Sequence, residues 1–277
     1  MANNIEIDLD EIEKIAVSGV MRTAVFMGLG LNAAYDKNFR NYELTDITQI
    51  QIVPPNADEK TITHYKGQFG VWIIMCGLRE LTETFAVYLD RIQAACSSIA
   101  LRRGKYKNDD LKKLRKKFLY KGIKGKLELL EEKFGIKAKN NDYLISISQV
   151  RNCFAHRRGI IGSEDCTTND ELVIRWKGID LFIETSMGEI IPLNPPLPKD
   201  GTLMKTDGHI CLKFVERMET FKEGTVIKLS PRNLAEICNV VLWSTGEIKA
   251  SAIEYAKSIG IAIKLKSEPS HNTPQKI

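Results

Sequence analysis

Residues 149–160, QVRNCFAHRRGI, gather Arg151, Asn152 and His156 with two further arginines, Arg157 and Arg158, just ahead of a glycine. An imidazole takes and gives protons near neutral pH, and a guanidinium holds oxyanions in a planar fork. Together they are equipped for proton transfer at an anionic ester, a phosphate above all. Spacing sets the terms. Residues four apart share a helix face, so Asn152 sits with His156 and its amide is placed to fix the ring tautomer. Arg151 and His156 are five apart, about 140° around a regular helix, and do not share a face. One copy alone makes an incomplete site, completed by fraying of the helix end at Gly159 or by a second copy across a two-fold axis. A plainer reading competes, because His and Arg in a last turn also suit the negative end of a helix.

The elements that must position this cluster follow from periodicity. Asp8 to about Ala34 reads as a first helix, with Ile12, Ile15, Ala16, Val20, Ala24 and Met27 at helical spacing. ITQIQIVPP in the connection that follows is a possible strand, ended by Pro54 and Pro55. Gly67 to about Ala100 carries the longest apolar stripe, from Val71 to Ile92, with Glu80 and Glu83 off it, read first as surface ion-pairing residues and second as braces for Arg151. A third helix is expected over Asp109–Phe134, broken near Gly122 and Gly125, and a fourth from Asp142 to the motif's glycine, Gly159. After Gly162 come the short runs ELVIRW, DLFIET, EIIPL, HICLKFV and TVIKL, separated by turn signals. They predict a small antiparallel sheet or a pair of hairpins. Ser230 and Pro231 mark the start of a last helix reaching about Ser258. Trp72, Trp176 and Trp243 read as core or sheet-packing residues.

The fold class expected is mainly α: a helical bundle with a small antiparallel β insertion before its last helix. Its organisation reads as one domain over 1–262, with the helical core at 8–160 and 230–258, the β-rich insertion at 163–229, and a polar, disordered tail at 263–277. At 277 residues and 43% hydrophobic, the chain has enough apolar material for a sizeable core. Its apolar runs, such as VWIIMCGL, are too short to predict a membrane span. The polar, acidic start MANNIEIDLDEIEK matches neither a secretory signal nor a mitochondrial presequence. Six scattered cysteines without a CxxC pair predict buried thiols, no metal and a reducing cytoplasm.

Charge is distributed unevenly. The chain is +5 overall, yet residues 102–126 hold twelve Lys or Arg against two Asp, a local +10 that leaves the remainder at −5. Lys112, Lys113, Arg115, Lys116 and Lys117 form its densest stretch. Such a run is either a solvated helix face or a surface for a polyanion, where phosphate contacts give affinity without sequence specificity.

RNCFAH resembles the R-x4-H motif of the HEPN superfamily (higher eukaryotes and prokaryotes nucleotide-binding), with a polar residue directly after the arginine. In that family the motif closes a late helix of an α-helical bundle, and many members are metal-independent ribonucleases. The likeness covers residues 8–160 and 230–258. It implies an endoribonuclease that needs no cofactor, with the RNA 2′-OH attacking the adjacent phosphate to leave a 2′,3′-cyclic phosphate and a 5′-hydroxyl. His156 would move the proton, Arg151 would hold the phosphate, and Asn152 would orient either. Arg157, Arg158 and the basic helix would bind RNA. DNA lacks the nucleophile and should be inert. The resemblance further implies a homodimer through the motif helix, a toxin or anti-phage setting, and an antitoxin or regulatory partner. The same features also suit an RNA-binding or interaction module without catalysis, and, less fully, a nucleotide-binding regulatory subunit.

Overall fold

The computed structural model describes residues 6–39, 57–193 and 207–262. The strand expected in ITQIQIVPP and the disordered tail expected at 263–277 lie outside the described residues.

Asp8 opens the first helix as its position predicts. Its carboxylate accepts the backbone N–H groups of Asp10 and Glu11, and α1 runs Leu9–Tyr35. The second helix, α2, spans Glu59–Arg102 and starts well before the expected Gly67. Asp58 is the reason, since its side chain accepts from the N–H of Thr61 at 2.8 Å. The two helices pack closely because glycine leaves room: Gly19 lies beside Thr84, Gly30 beside Ile73 and Gly77 beside Met27.

The basic segment is two helices, α3 over Asn108–Leu119 and α4 over Ile123–Phe134. Gly122 caps α4 and makes the expected break, whereas Gly125 stays inside the helix. Leu111, Leu114 and Phe118 bury one side of α3 against the bundle. Helix α5 runs Asn141–Arg157, and α6 runs Pro231–Ser258 with Ser230 accepting from the N–H of Asn233 at 3.1 Å. Core residues of α2 (Leu78, Leu81, Phe85, Leu89) join Val240, Val241 and Ile248 of α6 in one apolar cluster that also takes in Ile147 of α5. Tyr88 reaches across it to donate to the carbonyl of Thr245 at 2.8 Å.

Between α5 and α6 lies a three-stranded antiparallel sheet in the order β2-β1-β3, as the fold class required. ELVIRW and DLFIET are one strand, β1 (Glu171–Thr185), paired along its length with β3 (Gly208–Lys222) and at one end with β2 (Ile190–Pro192). Lys177-Gly178 is therefore no turn. A side chain at Gly178 would meet Arg217 and Glu236, so the glycine makes space for a charge network instead. In it Trp176 donates its indole N–H to Glu236 at 2.8 Å, tying the sheet to α6. TVIKL forms only a bridge, Ile160 to Val226, that fastens the insertion to the end of α5.

Membrane-span length was not expected from the short apolar runs, yet α1 meets that criterion. It is 27 residues long, with a mean hydropathy of 1.3 over its best 18-residue window, a third of which is buried. The apolar residues of α1 are interspersed with Gly, Ser and Ala rather than consecutive, which hides them from a run-based reading. Its inner side packs on α2 and α6, where Lys249 bridges Asp10 and Glu13 at 2.5 and 2.7 Å. Among the described residues α1 is the one helix that passes this test.

Candidate functional site

The motif occupies the last turns of α5, where Cys153 and Phe154 turn into the core while Asn152, Ala155 and His156 are exposed. The helix ends on two residues of left-handed conformation, Arg158 at φ +55° and Gly159 at φ +80°. Their N–H groups donate to the carbonyls of Phe154 and Cys153 at 3.2 and 3.3 Å, which satisfies the terminal carbonyls. Gly159 suits the position for a second reason, since a side chain there would strike the Phe154 ring.

Arg151 is half-buried and bound on both sides. Its Nη2 lies 3.3 Å from Glu83 Oε1 on α2, and its Nη1 donates to Asn152 Oδ1 at 3.3 Å. Both glutamates make the ion pairs expected of them, Glu83 with Arg79 at 2.7 Å and Glu80 with Arg22 of α1, and Glu83 alone also braces Arg151. Asn152 makes no side-chain hydrogen bond to the imidazole that its spacing suggested, and its carbonyl oxygen accepts from Arg151 instead. His156 has no hydrogen-bond partner among the described residues. The structure thus brings Arg151 to Asn152 and leaves His156 exposed and unpartnered on the same helix face as Asn152.

Arg157 points the other way. Its Nε donates to Asp165 Oδ2 and its Nη1 to Glu164 Oε1, both at 2.6 Å, and Nη2 completes a two-pronged pair with Asp165. Asp165 is buried and also accepts the Gly162 N–H at 3.1 Å. Burial alone would raise its pKa, but Arg157, the Gly162 N–H and the Cys153 thiol outweigh that and hold the carboxyl below its usual range. Burial, and then Asp165, push the Cys153 thiol up to about 12, so it is protonated and inert as a nucleophile. Arg157 accordingly anchors the loop into β1, with its guanidinium committed to Asp165 and Glu164.

Arg158 is exposed and lines a shallow groove with His64, Gln68, Val71, Ile160 and Val226. His64 lies with its Nε2 3.1 Å from the Gln68 amide nitrogen. The pair is an i, i+4 match on α2, legible only once the helix is known to begin at Glu59.

Lys112, Lys113, Arg115, Lys116 and Lys117 all face outward on α3. Lys126, in the same basic run, is instead buried in a pair with Asp90 of α2. Helix α3 packs along α2 near Gln93–Leu101, whereas the Arg158 groove lies at residues 63–71 of α2. At 1.5 Å per residue the α3 contact is roughly 45 Å along the helix from that groove but only about 20 Å from Glu83, where Arg151 rests. The basic helix therefore lies far from the Arg158 groove and nearer the Arg151 end of the motif.

No three His, Cys, Asp or Glu side chains among the described residues are grouped to hold a metal ion. All six cysteines are free. Comparisons with known protein families, with curated proteins and with solved structures returned no match.

Proposed function

We propose that this chain acts on RNA at the outer side of the α5 terminus, as a metal-independent endoribonuclease of HEPN type working in the cytoplasm. The observation that carries the reading is the exposed His156, with Asn152 on its face and Arg151 bonded to that Asn152. A phosphate arriving there competes with Glu83 for the Arg151 guanidinium, which binds phosphate in the same forked manner as carboxylate. His156 then takes the 2′-OH proton, the 2′-oxygen bonds to phosphorus, and the bond to the 5′-oxygen breaks as the imidazolium returns that proton to the leaving oxygen. Arg158 and His64 extend the basic surface past the helix end. The metal-independent route and the toxin or defence setting rest on the family resemblance.

A second reading has its own support. Arg151 is neutralised by Glu83, and His156 has no orienting partner, as expected of an RNA-binding or interaction module that does not cut. Incubation with end-labelled RNA in EDTA separates the two. Cleavage that leaves 2′,3′-cyclic phosphate and disappears in His156→Ala and Arg151→Ala supports the enzyme. Salt-sensitive binding without cleavage supports the module, and no binding at low salt sinks both.

A further inference from the structure

The outer side of α3 carries two kinds of group that the fold leaves without a use. Every Lys and Arg of residues 102–126 except Lys126 is exposed. On α3 itself Lys112 lies 3.8 Å from Asp109, while Lys113, Arg115 and Lys116 have no carboxylate partner among the described residues. Lys112, Lys116 and Tyr120 follow one another at four-residue spacing, with Lys113 and Lys117 in the next row. At the end of these rows stand two large side chains, Leu119 at 51% and Tyr120 at 83% exposure. The outer side of α1 differs. Met21, Val25, Phe26 and Leu29 are exposed there, but the only charged side chain from Ile15 to Tyr35 is Arg22, which is paired with Glu80. Trp72 of α2 is exposed as well, contrary to the core role its type suggested. On α3, by contrast, exposed apolar groups stand among unpaired cations.

We propose that α3 docks this protein on the surface of a bilayer that contains anionic phospholipid, with Leu119 and Tyr120 reaching below the headgroups. Charge complementarity sets the sign of the occupant, since each cation beside an anionic bilayer gains about fivefold in affinity. The apolar pair favours lipid over nucleic acid. A phosphate backbone calls for charge and for aromatic platforms on which bases stack, and it gives an exposed leucine nothing to contact. A bilayer presents headgroup phosphates with hydrocarbon directly beneath, and a tyrosine ring suits that boundary. Leu111, Leu114 and Phe118 are buried in the bundle, so α3 cannot sink its apolar side as a free amphipathic helix does. Contact is therefore electrostatic, with shallow insertion at one end. Charge also sets the orientation. Asp109 and Asp110 occupy the first turn, while Lys121 and Lys124 carry the basic surface past the last, so the C-terminal end of α3 meets the bilayer.

At 1.5 Å per residue the stretch from Lys112 to Tyr120 is about 12 Å long, comparable to the screening length in dilute salt. Its cations therefore act on the surface together, and added salt weakens the contact. This inference does not depend on any activity toward RNA.

The test is co-sedimentation of the full chain with phosphatidylcholine vesicles, with and without about one third phosphatidylglycerol, at about 0.1 M salt. The wild type should bind the anionic vesicles alone and leave them at about 0.5 M salt. Lys113→Gln with Lys116→Gln should weaken binding about 30-fold, and Lys113→Arg with Lys116→Arg should preserve it. Leu119→Ser with Tyr120→Ser should weaken vesicle binding about tenfold and leave any RNA binding unaltered. All four sites are exposed, so the circular dichroism spectra should match that of the wild type. No binding to anionic vesicles, binding indifferent to the glutamines, or equal binding by the serine variant overturns the proposal. So does a chain that binds RNA through Lys113 and Lys116 and ignores vesicles, which would make α3 a nucleic-acid surface.

Discussion

His156 and Arg157 are neighbours in the chain and opposites in the structure. On the inner side of the α5 terminus, Arg157 is held by Asp165 and Glu164, and the buried Asp165 accepts from it and from Gly162. On the outer side, His156 and Asn152 are exposed, and Arg151 is held only by Glu83 and Asn152 at 3.3 Å. Basic residues whose partners belong to the fold stabilise it, and those left open are free to serve a ligand. Composition alone would have pooled all of them as one RNA-binding cluster.

Changes on the two sides should therefore separate stability from function. The largest effect belongs to the inner side. Asp165→Ala leaves Arg157 and the Gly162 N–H without their acceptor and should cost about 3 kcal/mol, read from urea unfolding. The pH dependence has a definite sign. Asp165 has a folded pKa below its unfolded value, so its contribution is present above about pH 4 and is lost as pH falls through the folded pKa. The gap in stability between wild type and Asp165→Asn should accordingly narrow from pH 7 to pH 3. A gap that stays constant would mean the carboxylate charge is not what Arg157 uses.

Next comes Gly159→Ala, which puts a side chain at φ +80° and 2.6 Å from the Phe154 ring. It should destabilise by about 2 kcal/mol, and a neutral result would show that the helix end can re-form without the left-handed turn. The outer side should barely register in stability. His156→Ala is expected to fall within about 0.5 kcal/mol of wild type. Glu83→Gln, which releases Arg151, should leave folding intact, tighten RNA binding a few-fold and steepen its salt slope by about one. Unchanged affinity in Glu83→Gln would place Arg151 outside any RNA contact.

The faces of α1 and α5 make the same point at larger scale. One is apolar and the other polar, though the family motif raised an expectation of dimerisation on the polar one. Amphipathic spacing identifies which residues of a helix are buried together. It does not announce that the opposite side carries apolar residues as well: Val25 and Leu29, outside the expected stripe, are exposed on α1.

Local chemistry made much of the fold legible. Asp8, Ser230 with Pro231, and Gly159 mark helix ends by hydrogen bonding and backbone freedom within a few residues, and the structure has them in those roles. The apolar period of α2 and the placement of a sheet before the last helix were readable for the same reason. Partnership was not. Whether Arg157 meets Asp165 or solvent, whether Asn152 serves Arg151 or His156, and whether α3 lies beside the motif all depend on how distant segments pack. Sequence by itself determined the helices, the sheet and a basic cluster at the end of α5. Only the tertiary structure decided which of those charges are neutralised, because an ion pair depends on distance in space and the chain specifies distance only along itself.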